Sequence, residues 1–133
     1  MTSGANIFTR PIHLGLGATA VAQSEFTGDL QWYEAYSQRH AADGKEGRLV
    51  SMSAFDKSWD TWEMHPSGSE VVLCTAGSIT LHQERPDGSR CTVTLKAGEY
   101  AINEPGTWHT ADVDKEATAV FITAGLGTTH RPR

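Results

Sequence analysis

Short β-like runs separated by turn-forming residues fill the chain from Arg48 to Ala124. Glycine- and proline-containing pairs such as Ala76-Gly77 and Pro105-Gly106 lie between the runs and mark turns. The runs are Leu49–Phe55, Trp59–His65, Glu70–Thr75, Ser78–Glu84, Cys91–Lys96, Tyr100–Asn103, Thr107–Val113 and Ala117–Ala124. Many short strands with regularly spaced turns are typical of a β-sandwich or β-barrel. We therefore predict an all-β domain over residues 48–124.

One hairpin can be registered from its turn, which spans residues 85–89 and reads Arg-Pro-Asp-Gly-Ser. Proline presets the backbone φ of a turn, and glycine accepts the positive φ that a three-residue loop with a bulge requires. The resulting register sorts apolar pairs to one face and polar pairs to the other. The predicted pairs are Ile79–Leu95, Leu81–Val93, Thr80–Thr94, His82–Thr92, Glu84–Arg90 and Gln83–Cys91. This register separates Cys91 from Cys74, so we expect no disulfide between them.

The two ends of the chain differ from the β-rich middle. Residues 1–47 are predicted to hold an N-terminal arm, an edge strand within Ile12–Val21 and the only convincing helix, Leu30–Ala42. This helix carries Trp32, Tyr33, Tyr36 and His40 at near-helical spacing. Residues 125–133 show no periodicity, and we expect them to form a flexible tail.

Composition excludes several classes of function. The chain has 133 residues and a formal net charge of −5, which disfavours a nucleic-acid partner because phosphate binding needs a basic face. No apolar run is long enough to cross a bilayer, so we expect no membrane span. The apolar stretch after Arg10 could pass for a signal peptide, but it contains His13 and two glycines. The two cysteines are too few for a disulfide framework, which fits a reduced, cytoplasmic protein.

Four polar residues lie on or beside predicted strands where folding does not require them. Glu63 and His65 are two residues apart, so both side chains project to one face of a strand. Glu70 follows a tight Pro-Ser-Gly-Ser turn that can fold the next strand back toward them. His109 comes from a separate strand after Pro105-Gly106. If the strands close into a barrel, two imidazoles and two carboxylates can meet around one point.

Such a set can coordinate a divalent transition metal, namely Fe, Mn, Zn, Ni or Co. Four protein ligands around an octahedral ion would leave two positions for water, substrate or dioxygen. Each residue also has a structural alternative. His65 can cap a turn, Glu70 can accept from turn amides, and Glu63 can hydrogen-bond a ligand or a water molecule instead of binding the ion.

At these residues the sequence resembles the cupin superfamily. The segment Glu63-x-His65-x4-Glu70-x6-Gly77 is similar to the first cupin motif, G-x5-H-x-H-x3,4-E-x6-G. The segment Gly98-x5-Glu104-x-Gly106-x2-His109 is similar to the second, G-x5-P-x-G-x2-H-x3-N. Both motifs occur in order, and the interval between them holds one hairpin.

The resemblance implies a cupin-type jelly-roll β-barrel with a metal inside, here with one N-terminal α-helix. It places His65, Glu70 and His109 on three of the family's ligand positions and Glu63 on the position of the first histidine. Three further positions depart from the motifs, because Lys57, Glu104 and Val113 replace a glycine, a proline and an asparagine. A carboxylate at residue 63 would make the site more anionic than the usual set.

The resemblance also implies a small metal-dependent enzyme of oxygenase, isomerase or lyase type acting on a small organic metabolite. Glu63, or Glu104 if it reaches the mouth of the site, would then serve as general base. By strand parity Trp59 is the best aromatic candidate for the pocket wall, whereas Trp108 should point away.

Other functions and states remain open on the sequence alone. The chain can instead be a non-catalytic module that binds a small molecule or sugar, because cupins are functionally diverse. A metal-free sugar-nucleotide epimerase would want a basic subsite for phosphates, and no Arg/Lys cluster lies near the motifs. We also expect a homodimer, since a small barrel leaves sheet edges and aromatic surface that a second subunit can cover.

Overall fold

The computed structural model describes residues 3–133, so the first two residues of the predicted N-terminal arm lie outside it. It contains one α-helix, α1 (Leu30–Arg39), and two short 3-10 segments, Leu16–Ala18 and Ala41–Glu46. The strands are β1 (Ile12–Gly15), β2 (Thr19–Ala22), β3 (Arg48–Phe55), β4 (Thr61–Met64), β5 (Glu70–Glu84), β6 (Arg90–Lys96), β7 (Tyr100–Asn103), β8 (Trp108–Asp112), β9 (Ala117–Thr123) and β10 (Thr129–Pro132). No helix among residues 3–133 is long and apolar enough to cross a membrane.

The long strand β5 holds the sheet together. Its first half pairs antiparallel with β7 and β9, and its second half pairs with β6 and β8. The strands follow the order β10-β4-β8-β5-β9-β3-β1-β2, with β6 and β7 attached to β5. The prediction of an all-β fold with one N-terminal helix is confirmed.

The hairpin of β5 and β6 has the register that its turn predicts. All six predicted pairs occur, including Ile79 opposite Leu95 and Gln83 opposite Cys91. On the outer face, the hydroxyls of Thr80 and Thr94 lie 2.9 Å apart. Both cysteines are free thiols, as predicted.

The prediction of a turn between two strands at Ala76-Gly77 is wrong. Residues 70–84 form one continuous strand, and a β-bulge between Cys74 and Ala76 interrupts its pairing with β9. A bulge adds one residue to one strand and therefore reverses which residues face inward. The buried residues are even-numbered before the bulge (70, 72, 74) and odd-numbered after it (79, 81, 83). The bulge thus keeps Glu70 and Gln83 inside the same barrel.

The N-terminal segment forms a hairpin rather than the single edge strand that the sequence predicted over Ile12–Val21. Strand β1 pairs with β2 and also with β3, so the hairpin extends the barrel sheet. Glycine and alanine at residues 17 and 18 take a positive φ, which lets the chain reverse there. Helix α1 begins after Asp29, whose carboxylate accepts from the Trp32 amide.

The prediction of a flexible tail over residues 125–133 is wrong for its second half. Residues 129–132 form β10, which pairs antiparallel with β4 and places His130 opposite Glu63. The guanidinium of Arg131 lies over the rings of Trp62 and Trp108, at 5.0 and 4.5 Å from their centroids. Cation–π contact and backbone pairing fix this strand, and neither leaves a periodic pattern in so short a segment.

An apolar core fills the barrel on one side of the polar cluster described below. It is built around buried side chains from β5, β6, β8 and β9, with Ile79 and Leu81 fully buried. Phe55 and Trp59 pack against this core from the edge. Other buried residues are polar and include His65, Glu70, Gln83, Asn103 and His109.

Replacing Gly77 by alanine tests the bulge. Gly77 has a φ of 69°, and a Cβ there would lie 2.1 Å from the carbonyl oxygen of Glu116. We expect Gly77→Ala to lower the free energy of unfolding by roughly 3 kcal/mol, from backbone strain plus the clash. Gly88→Ala is the matched control, because Gly88 also has a positive φ but nothing lies within 4 Å of its Cβ position. Urea unfolding in which both variants lose the same amount would contradict this account.

Candidate metal centre

Three strands bring together the four polar residues that the sequence singled out. Glu63 lies on β4, His65 directly follows β4, Glu70 begins β5 and His109 lies on β8. Glu63 and His109 are direct partners in the β4–β8 ladder. One ligand atom from each of the four residues lies within 4.8 Å of the others. The predicted convergence inside the barrel is therefore observed, and we call these residues the Glu/His cluster.

The distances within the Glu/His cluster centre on Glu70. Its Oε2 lies 3.1 Å from His65 Nε2, and its Oε1 lies 3.1 Å from His109 Nε2. Glu63 Oε1 lies 3.1 Å from the same His65 Nε2. Glu63 is the accessible member, with 28% of its side chain exposed, whereas the other three side chains are at most 4% exposed.

The hydrogen bonds of each imidazole leave the Nε2 lone pair free in the neutral form. His109 Nδ1 donates to the carbonyl oxygen of Thr107. His65 Nδ1 lies 2.7 Å from Thr128 Oγ1, and that hydroxyl donates its proton to the Gly125 carbonyl, so His65 Nδ1 is the donor. Both Nε2 atoms are buried without a well-aligned hydrogen-bond partner in the described chain. A divalent ion accepts electron pairs from such nitrogens, so the donor set fits a metal.

The two carboxylates of the cluster also require a positive charge close to them. Burial lowers the pKa of His65, but Glu63 and Glu70 outweigh this and raise it to about 9. Burial raises the pKa of Glu70, whereas the neighbouring His109 and His65 hold it well below its usual range. Two carboxylates in a buried site are stable only beside a positive charge, which a proton or a metal ion can supply.

The other predicted site residues lie around this cluster. Trp59 is half-buried beside His109, with ring centroids 6.2 Å apart, and its Nε1 has no partner among the described residues. Glu104 is exposed and accepts from the Ser69 hydroxyl, so it lies outside the cluster. Trp108 stacks under Arg131 on the outer side, as its strand parity predicts.

Sequence reasoning missed the relation of Tyr33 to this site. Tyr33 is 41% exposed, yet partial burial of its phenol raises the pKa of that group, and the negative charges of Glu63 and Glu70 raise it further. Helix α1 therefore brings a phenol within electrostatic range of the cluster. No strand motif carries this information, because the helix reaches the site only through the tertiary fold.

Comparison with known proteins rests on structure alone. No protein-family model matches the chain, and no curated protein matches it significantly. An oxalate oxidase structure superposes with a TM-score of 0.56 at 17% identity, over 70% of this chain and 50% of the oxidase. An oxalate decarboxylase of Bacillus subtilis, studied for its Mn(II) centres, gives a TM-score of 0.54 at 13% identity, over 72% of this chain and 26% of the enzyme.

A third structure is a hydroquinone 1,2-dioxygenase in complex with Cd2+ and 4-hydroxybenzonitrile. Its TM-score is 0.51 at 12% identity, over 57% of this chain and 56% of the dioxygenase. The chain has a cupin fold. It spans less than two thirds of each of these three structures. At these sequence identities the similarity shows a shared fold, and it does not assign the activities of the three enzymes to this chain.

A second group of ligand-type residues lies outside the barrel, at His13, His40 and Asp43. Every contact of His13 is satisfied internally, since Tyr36 Oη lies 2.6 Å from Nδ1 and Asp43 Oδ2 lies 2.6 Å from Nε2. The carboxylate must accept from Nε2, so the phenol donates to Nδ1. His40 stacks on His13 with centroids 3.7 Å apart and an interplanar angle of 16°. Because the two imidazole rings are nearly parallel, their nitrogen lone pairs do not converge on one point, as a metal ion would require.

This second group therefore acts as a clamp between β1, α1 and the 3-10 segment at 41–46. Two glycines permit its close packing: a Cβ at Gly47 would lie 2.8 Å from His13 Cε1, and one at Gly15 would lie 2.7 Å from Asp43 Oδ2. The His13 side chain is buried within this clamp. The partners of His13 could not be assigned from spacing, because they lie 23 and 30 residues away.

Replacing Tyr36 by phenylalanine tests the clamp through its pH dependence. Burial, reinforced by the Asp43 charge and opposed by Arg39, raises the pKa of Tyr36 to about 12. The folded state thus holds the phenol proton more tightly, and its contribution is complete below about pH 10 and lost as the pH rises to about 12. We expect Tyr36→Phe to cost about 1 kcal/mol of unfolding free energy near neutral pH, and the gap to wild type to close over that alkaline range.

Tyr100→Phe is the matched control, because the Tyr100 side chain is 64% exposed. Its unfolding free energy, measured by denaturant titration, should track that of wild type at every pH. A gap for Tyr36→Phe that stays constant from neutral to strongly alkaline pH would count against the clamp.

Proposed function

We propose that this cupin is a metal-dependent enzyme that acts on a small organic metabolite by oxygenase, isomerase or lyase chemistry. The observation that carries the proposal is the pair of buried Nε2 atoms, on His65 and His109, that face Glu70 without a well-aligned hydrogen-bond partner in the described chain. Leaving two buried polar nitrogens without a well-aligned partner costs free energy, which a bound cation would recover.

In this proposal His65, Glu70 and His109 hold the ion and Glu63 is a fourth ligand. Mixed imidazole and carboxylate donors suit Fe, Mn, Zn, Ni or Co. The bound ion would supply Lewis-acid stabilisation to an oxygen-containing substrate. Thr128 and the Thr107 carbonyl would fix the two imidazole tautomers through Nδ1.

Glu63 is suited to move a proton as well as to bind the ion. It is the partly exposed member of the cluster, and its Oε2 faces the solvent-exposed His130 at 3.8 Å. Oε2 can take a proton from a bound molecule, and His130 can exchange it with solvent. Glu104 remains a predicted base at the mouth of the site, although its contact with Ser69 holds it outside the cluster.

Trp59 is the aromatic candidate for the substrate wall. Its indole lies beside His109, and its buried Nε1 has no hydrogen-bond partner among residues 3–133. A donor in that state would bind an oxygen atom of a substrate at little desolvation cost. The named substrates of the similar structures, oxalate and hydroquinone, are small oxygen-rich molecules and a reasonable place to begin screening.

A non-catalytic small-molecule or sugar-binding module is the alternative. The near-complete burial of His65, Glu70 and His109 favours it, because only the Glu63 side of the cluster is open to solvent. Restricted access leaves little room for both a substrate and a second reactant. The proposal and the alternative share the metal and differ in turnover.

The metal proposal predicts that the chelator-stripped protein takes up about one equivalent of a divalent transition ion. We expect His109→Ala and Glu70→Gln to weaken binding by about 100-fold or more, because each removes a ligand from a buried site. Metal content and calorimetric titration give both quantities. His82→Ala is the control, since His82 pairs with Asp112 on the outer face. Undiminished binding by His109→Ala would refute the assignment.

Measurement of turnover distinguishes the metal-dependent enzyme from the non-catalytic binding module. Protein reconstituted with Fe(II) under anaerobic conditions, or with Mn(II), is mixed with small carboxylates and dihydroxybenzenes while oxygen uptake and product formation are followed. The enzyme proposal predicts turnover that falls by about 100-fold or more in Glu63→Gln if Glu63 moves the proton. Tight metal binding with no turnover of any compound would favour the binding module.

We also propose a cytoplasmic homodimer. Free thiols at both cysteines agree with a reducing compartment. Strand β2 is an edge of the sheet, and Leu14, Leu16 and Val21 beside it are exposed apolar residues. Sedimentation equilibrium would give the mass, and a monomer at micromolar concentration would argue against the dimer.

A further inference from the structure

A chain of hydrogen bonds leads from Cys91 on β6 to the carboxylate of Glu70, and its last two bonds are buried. Cys91 Sγ lies 3.0 Å from Gln83 Oε1, Gln83 Nε2 lies 2.7 Å from Asn103 Oδ1, and Asn103 Nδ2 lies 3.0 Å from Glu70 Oε1. Gln83 and Asn103 are 7% and 2% exposed. On the other carboxylate oxygen, the Thr123 hydroxyl donates to Glu70 Oε2 at 2.6 Å.

The direction of this chain is fixed at both ends. Gln83 Nε2 also donates to the carbonyl oxygen of Ile102 at 3.0 Å, and a carbonyl can only accept. The amide orientation of Gln83 is therefore set by the backbone, and its Nε2 must face Asn103 Oδ1. Asn103 then presents Nδ2 to Glu70, whose carboxylate can also only accept. Every donor points toward Glu70, so the amide dipoles align and strengthen one another.

We propose that Gln83, Asn103 and Thr123 are positioning residues that set the orientation of the Glu70 carboxylate and thereby the metal affinity of the site. This inference rests on the proposed function, because it assigns a role around the same metal ligand. With one donor on each carboxylate oxygen, Glu70 is held with Oε2 3.1 Å from His65 Nε2 and Oε1 3.1 Å from His109 Nε2. The ligand is then oriented before the ion arrives, and binding requires less reorganisation.

Gln83 and Thr123 lie outside the two motifs, and Asn103 occupies an unspecified position within the second, directly before Glu104. Gln83 acts on Glu70 only through Asn103, and the bulge at Cys74/Ala76 keeps the side chains of both Glu70 and Gln83 inside the barrel. Asn103 reaches Glu70 from β7, where the two residues are direct partners in the β5–β7 ladder. Thr123 ends β9.

Co(II) titration of the chelator-stripped protein tests this role. Asn103→Leu and Thr123→Val keep the side-chain volume and remove one donor each, and we expect each to raise the Co(II) dissociation constant by about 10- to 100-fold. Gln83→Leu acts only through Asn103, so its effect should be smaller, at about several-fold. The Gln83→Leu/Asn103→Leu double variant should bind no more weakly than Asn103→Leu alone, since both changes break one chain.

Gln23→Leu is the matched control. Gln23 is another buried amide, 4% exposed, but it bonds to Arg39 and His40 in the clamp region. The metal-free thermal midpoint is measured for every variant, so that a general loss of stability is separated from a loss of affinity. Gln23→Leu should lower the midpoint and leave Co(II) affinity unchanged. The visible absorption of bound Co(II) should shift in Asn103→Leu and Thr123→Val and stay unchanged in Gln23→Leu.

The outcomes separate this inference from the proposed function. If wild type binds no Co(II), Mn(II) or Zn(II), the metal proposal fails and the positioning role falls with it. If wild type binds and Glu70→Gln does not, but Gln83→Leu, Asn103→Leu and Thr123→Val all bind like wild type, only the positioning role is overturned. If Asn103→Leu fails to fold, Thr123→Val and Gln83→Leu carry the test.

Discussion

The buried carboxylate of Glu70 is the constraint on which the rest of the site depends. An ionised carboxylate inside a barrel is tolerated only when donors and a positive charge surround it. Asn103 and Thr123 supply the donors, and His65 and His109 face it with their Nε2 atoms. A proton or a metal ion at the point where these atoms meet can supply the positive charge, and we propose that it is a metal ion.

The fold meets this constraint through one irregularity in β5. A regular strand from Glu70 to Glu84 would turn either Glu70 or Gln83 out of the barrel, because side chains alternate between the two faces. The bulge at Cys74/Ala76 inserts one residue and keeps both inside. Gly77 accommodates the backbone there, with a Cβ position that the Glu116 carbonyl already occupies. The same irregularity lets β5 serve both halves of the sheet.

Much of this arrangement could be predicted from the sequence where local chemistry decides it. The turn at Pro86-Asp87-Gly88 fixed the β5–β6 register, and the spacing of Glu63, His65, Glu70 and His109 predicted their convergence. Features that depend on distant partners could not be predicted. Pairing of β10 with β4 turns an aperiodic tail into a strand, and His13 finds its partners only in the folded chain. Gln83 and Asn103 have the sequence pattern of ordinary polar strand residues, and only the β5–β7 pairing and the hydrogen bond between them connect them to Glu70.

Anomalous X-ray scattering from crystals grown with Mn(II) or Co(II) tests the central claim most directly. The account predicts one strong peak bounded by Glu70, His65 Nε2 and His109 Nε2, with Glu63 closing the fourth side, and no peak at His13, His40 and Asp43. A fully loaded crystal with no density between the two imidazoles, or with the ion bound elsewhere, would contradict it.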